Sequence, residues 1–165
     1  MKWIKIGSSF MKSFLLEISK ENDFLLQKYE EQYQNSPDDE VLLAQYIDFL
    51  WSCLSKKLMQ GQVEVMNREL LSKLLSEKIA LSATVEDHSR LIQNELCRKN
   101  FNAVGKALDE MKKSFEHTEE YFLMKLQYYA ETGNAKGIRE LIEAVEKSHV
   151  YLSLKAKEAL AFWEK

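Results

Sequence analysis

Residues 118–147 read TEEYFLMKLQYYAETGNAKGIRELIEAVEK, a stretch that spells two helices joined by a tight turn. Thr118 offers a capping hydroxyl, and Glu119 and Glu120 behind it face the positive end of the helix dipole. From Tyr121 to Ala130 the helix is apolar nearly all round, with Lys125 and Gln127 its polar interruptions. A helix of that composition has to be packed on more than one side. Thr132-Gly133-Asn134 breaks the pattern, after which Ile138, Ile142 and Val145 resume it at helical spacing. So brief a connection makes the two helices antiparallel neighbours.

The same grammar extends in both directions. Phe101, Val104, Leu108, Met111 and Phe115 predict a helix over 100–115, and Leu152, Ala156, Ala159, Leu160 and Trp163 another over 151–164. On the last helix Lys155, Lys157, Glu158 and Glu164 provide a polar outer face, while Phe162 beside Trp163 leaves an apolar edge open to a partner. Upstream, Thr84-Val85-Glu86-Asp87 forms a capping box ahead of a helix reaching about Arg98, and a further helix covers about 63–80. Ser36-Pro37-Asp38-Asp39 places a capping serine before a proline at the first helical position. The helix that follows carries the stripe Leu42, Tyr46, Phe49, Leu50, Cys53, Leu54 and Leu58 and ends near Gly61. Two weaker helices, 8–19 and 22–35, the second capped by Asn22, bring the expected total to about nine in one all-helical domain over 1–165.

Sliding the chain along itself by 34 residues sets Lys99-Asn100-Phe101-Asn102-Ala103-Val104 on Gly133-Asn134-Ala135-Lys136-Gly137-Ile138. Under that shift Leu108 meets Ile142, Met111 meets Val145, and Tyr128 and Tyr129 meet Phe162 and Trp163. A 34-residue helix-turn-helix period is the tetratricopeptide signature, and residues 118–147 resemble a degenerate member of that (TPR) family. Phe122 early in the first helix, Tyr129 near its end, the Gly133-Asn134 turn and Gly137 early in the second helix carry the resemblance. Leu126 stands where the family places a small residue, the closing proline is absent, and Gly137 comes about one position early. The resemblance is clearest over 83–165 and implies a right-handed α-α superhelix of antiparallel hairpins. It further implies a groove lined by the first helix of each hairpin, with Glu120, Leu123 and Gln127 at its binding positions and Glu86, Ser89 and Gln93 one repeat earlier.

Composition limits the alternatives. The chain has 165 residues, 45% hydrophobic and 30% charged, with one proline and five glycines, too little turn chemistry for an all-β fold. Its 23 basic and 26 acidic residues split evenly, 10 against 12 up to Ser82 and 13 against 14 beyond it. Neither half is a basic arm, so no nucleic-acid partner is expected. The pairs Lys56-Lys57, Arg98-Lys99 and Lys112-Lys113 read as solvated faces. Two cysteines, Cys53 and Cys97, make neither a four-thiolate site nor a disulfide framework and read as buried free thiols. Lys12 and Glu17 interrupt what would be a signal-peptide core, and no run is long enough for a spanning helix. These readings give a cytoplasmic expectation.

No constellation in the chain carries catalysis. There is no nucleophile elbow, P-loop, dinucleotide glycine pattern, H-E-x-x-H or Cys-x-x-Cys. Glu146 and His149 have the spacing of a di-iron ligand pair, but that site needs a second such pair and two more glutamates; His149 instead suits a helix end. His117 and Glu120 lack further ligands, and His88, behind Glu86 and Asp87, reads as a solvated imidazole in a first turn. Nothing demands a metal or prosthetic group. The N-terminal twenty residues are basic and apolar together, through Lys2, Trp3, Lys5, Phe10, Lys12 and Phe14. They suit an interfacial membrane helix, a docking helix or a terminal cap on the solenoid, and the interruption at Gly7-Ser8-Ser9 favours self-capping or a homodimer over membrane contact.

The expected function is a non-catalytic scaffold that holds a peptide or protein segment in the groove. The alternatives are a ligand-sensing or regulatory helical domain, with a small-molecule pocket between hairpins near Tyr121, Phe122, Tyr128 and Tyr129, acting on a transcription or signalling protein, and a helical enzyme whose site is assembled from distant residues.

Overall fold

A computed structural model describes residues 20–148 and 150–163, which form eight helices and no strand. Among the described residues α1 covers 20–35. It is followed by α2 (Glu40–Ser55), α3 (Gly61–Ser82), α4 (Val85–Cys97), α5 (Phe101–Phe115), α6 (Glu119–Glu131), α7 (Ala135–Lys147) and α8 (Leu154–Trp163). The helix expected at 8–19, and with it the membrane or dimer contact, lies outside the described residues. None of the described helices is long and apolar enough to cross a membrane. Contacts gather the chain into two compact units that divide within α3, one ending at Leu74 and the other beginning at Leu75.

In the first unit, Asp39 caps α2 in place of Ser36: its carboxylate accepts from the amides of Val41 and Leu42, each at 3.0 Å. Ser36 instead closes α1, its amide donating to the carbonyls of Gln32 and Tyr33. Asn22, expected as a cap, lies inside α1. The end of α2 comes at Ser55, earlier than Gly61, because Lys57 enters the left-handed region (φ 56) and the amides of Lys57 and Leu58 return to the carbonyls of Leu54 and Cys53. Of the expected α2 stripe Tyr46, Leu50, Cys53 and Leu54 are buried, joined by Leu43 and Ile47, whereas Leu42 and Phe49 are half-buried and Leu58 lies exposed beyond the helix. Tyr29 of α1 stacks on Tyr46 with ring centres 5.5 Å apart. Burial, reinforced by Glu30 and Tyr33, pushes the Tyr46 phenol up to about 12.

In the second unit α4 packs on α5 and α6, α5 on α6, and α6 on α7. Their shared core includes Ile92, Val104, Met111, Leu126 and Ile138, joined by Leu152, Ala156 and Leu160 from the α8 region. The nearly all-apolar α6 accordingly buries Tyr121, Phe122, Met124 and Leu126. α8 begins three residues later than expected because Ser153 is its cap, the hydroxyl accepting from the Ala156 amide at 3.2 Å. Phe162 and Trp163 remain exposed at its end. Cys53 is buried, whereas Cys97, on the last turn of α4, is exposed and corrects the expectation of two buried thiols.

The 34-residue period recurs in the hydrogen bonds of this unit. Thr84 and Thr118 accept from the amides of Asp87 and Tyr121 and cap two helices of 13 residues each. Those helices end alike: the amides of Lys99 and Gly133 return to Leu96 and Ala130, and those of Asn100 and Asn134 to Glu95 and Tyr129. Each asparagine then caps the next helix, accepting from the amides of Ala103 and Gly137 respectively.

Candidate functional site

The six expected groove residues lie on α4 and α6, and the helices treat them differently. Glu86 is exposed but committed to Arg90, one turn on, at 2.6 Å. Ser89 is half-buried, its hydroxyl without a hydrogen-bond partner. Gln93, also half-buried, reaches across to α6, where its amide group donates to the Met124 sulfur at 3.8 Å. On α6, Leu123 is half-buried against the core, while Glu120 and Gln127 are exposed and make no hydrogen bond or ion pair among the described residues. Gln93 is thus the member of the α4 row that the structure ties directly to α6.

Behind that row α4 buries four polar side chains, Asp87, His88, Asn94 and Glu95. The expectation of a solvated His88 is therefore corrected: its ring is 3% exposed and meets the edge of Phe115 at 5.5 Å. Burial holds the imidazole below its ordinary pKa, against the upward pull of Glu110 and Asp87. Asp87 lies 3.5 Å from the Lys78 ammonium, and Glu95 lies 2.9 Å from the Arg98 guanidinium. Each buried carboxylate of α4 thus has a cation beside it.

The opposite side of α6 opens on a cavity of about 300 Å³ between the end of α5, α6 and α7. Tyr121, Lys125 and Tyr129, four residues apart, form one wall, with Phe122 beside them and Gly137 and Leu141 of α7 across from them. The Lys125 ammonium sits 5.5 Å from the centre of the Tyr121 ring and 5.7 Å from that of Tyr129. Burial draws its pKa down, but the two tyrosine oxygens push it up by more, so the group stays cationic. None of the six groove residues lines this cavity. Sequence reading noted Lys125 only as an interruption; the available signal was a lone cation one turn from a tyrosine on either side.

His117 also lines the cavity, and Glu120 does not. His149 lies outside the described residues, so the Glu146–His149 pair has no geometry to judge. Among the described residues no group of three or more His, Cys, Asp or Glu side chains is placed to hold a metal ion. Comparison with protein-family models, curated proteins and solved structures finds no match.

Proposed function

We propose that the chain is a non-catalytic scaffold, a TPR-like superhelix of antiparallel hairpins that holds a peptide or protein segment along the face of α4 and α6. The observation that carries this reading is the repetition, 34 residues apart, of a threonine cap, a 13-residue helix, a left-handed turn and an asparagine cap. Repeated hairpins stack so that equivalent helices form a continuous surface. On that surface the uncommitted polar groups of Glu120 and Gln127 are available to a partner backbone, and Leu123 gives it an apolar rest.

Affinity capture from cells of the source, followed by titration of the purified partner, tests the proposal. Gln127→Glu together with Glu120→Lys is expected to weaken binding by about tenfold or more, while Lys106→Glu, on the exposed side of α5, leaves it intact. Equal affinity in both variants would remove the face from consideration.

A further inference from the structure

The two repeats of the second unit differ most where the cavity lies. Adding 34 to the four buried polar positions of α4 carries Asp87 to Tyr121, His88 to Phe122, Asn94 to Tyr128 and Glu95 to Tyr129. In the first repeat, therefore, the wall positions hold two carboxylates, each beside a cation: Asp87 with Lys78 and Glu95 with Arg98. In the second repeat both carboxylates have become tyrosines, yet a cation has been added, since Lys125 replaces Leu91. Lys125 rests on those two tyrosine rings and makes no ion pair among the described residues.

The carboxylates at the rim are already engaged. Glu116 pairs with Lys112 at 3.7 Å, and Glu140 with Lys136 at 3.6 Å, all four side chains at least half exposed to solvent. The half-buried Lys125 thus has the rings and hydroxyl oxygens of two tyrosines beside it and no carboxylate, and neutral partners are worth less than a carboxylate in a partly desolvated site. Space for the missing anion exists: about 300 Å³ is the small end of ligand-binding cavities. Phe122, Leu141 and Ala144 add apolar wall, while Gly137 closes one end by packing against the Tyr129 ring. The volume suits one ring or a short chain, and Lys125, the lining lysine with no carboxylate beside it, suits one negative charge.

We infer that this cavity binds a small organic monocarboxylate with a flat apolar body, the carboxylate on the Lys125 ammonium and the body among Tyr121, Phe122, Leu141 and Ala144. The site is separate from the groove face of α4 and α6, and its occupancy does not depend on the scaffold reading.

Phenylacetate, phenylacetamide and phenethylamine share one ring and carry negative, neutral and positive heads, so they isolate the charge. Amide chemical shifts of the full chain are to be followed while each is titrated to millimolar concentration. Phenylacetate is expected to shift the resonances of Tyr121, Lys125 and Gly137 saturably and to bind about tenfold or more tightly than phenylacetamide, with phenethylamine weaker still. Lys125→Met, which retains the stem and removes the charge, should erase the preference for the acid; Lys106→Gln, exposed on α5 outside the cavity, should keep it. The inference is overturned if phenylacetate causes no saturable shift, if acid and amide bind equally, or if the preference for the acid survives in Lys125→Met. The comparison of the three heads on the unaltered protein stands even if the Lys125 variant does not fold.

Discussion

Lys99 and Gly133 occupy the same point of two successive turns, 34 residues apart, both in the left-handed region with φ of 55° and 68°. The hydrogen bonds around them match pair for pair, so the turn is specified by its helix ends and not by glycine. What differs is the cost: a residue with a Cβ adopts this conformation at a penalty of about 1 kcal/mol that glycine escapes.

Exchanging the two residues therefore has opposite effects. Lys99→Gly is expected to raise stability by about 0.5–1 kcal/mol, the relief of strain being partly offset by a more flexible unfolded chain. Gly133→Lys is expected to lower it by about 1 kcal/mol. Urea unfolding of the two single variants measures both, and the same sign for both would refute the equivalence of the turns.

The pair Gly105 and Gly137 separates helix propensity from close approach. At Gly105 in α5 an added Cβ meets only the Tyr128 hydroxyl, at 3.7 Å, so Gly105→Ala should stabilise by about 0.5–1 kcal/mol. At Gly137 the same atom would come within 2.7 Å of the Asn134 side-chain nitrogen and 3.0 Å of the Tyr129 ring. That asparagine accepts from the Gly137 amide at 2.8 Å and caps α7. Displacing it should cost about 1–2 kcal/mol, readable as a lower midpoint in thermal unfolding.

Element positions in the second unit were legible because caps and apolar spacing there agree with one another. The helices over 85–97 and 119–131 start one residue after Thr84 and Thr118, the caps the sequence names, and those over 101–115 and 135–147 start within a residue of where the apolar spacing and the Thr132-Gly133-Asn134 break place them. At Ser36 two capping residues competed, and Asp39 won by accepting from two amides. His88 was misread for a different reason: an acid-rich first turn looks solvated when taken alone. The 34-residue shift sets it on Phe122, which the sequence reading assigned to the packed helix, and that register held the correct answer. The cavity was not legible, because it depends on how α5, α6 and α7 meet around a lysine that looked incidental.

The buried imidazole gives a pH dependence of defined sign. His88 has a folded pKa below its ordinary 6.5, so the unfolded chain binds more protons in the interval between the two. Its contribution to stability is complete above pH 6.5 and is lost as the pH falls from there through the folded value. Lowering pH from about 8 to about 5.5 should destabilise the protein more than His88→Gln, whose side chain does not titrate. Glu110→Gln, by removing an upward pull, should move the folded value further down. Urea titrations across that range decide the matter; equal slopes with and without His88 would exclude it as the source.

The placement of α8 rests on a polar clamp between helices that are distant in sequence. The carboxylate of Glu119 accepts from both the amide and the hydroxyl of Ser153, the latter at 2.8 Å, while that hydroxyl caps α8 through the Ala156 amide. One side chain at the start of α6 thus orients the first turn of α8, whose own apolar contribution is short: of its ten residues, Ala156 and Leu160 are buried. A charge-assisted bond to a backbone amide contributes about 1.5–3 kcal/mol, comparable with the burial of one aliphatic side chain. Glu119→Ala should accordingly loosen α8 before the rest of the unit. Hydrogen exchange is expected to quicken at Ala156–Trp163 while Val104 and Met111 in α5 keep their protection. Unchanged protection across α8 would mean that Leu152, Ala156 and Leu160 hold it without the clamp.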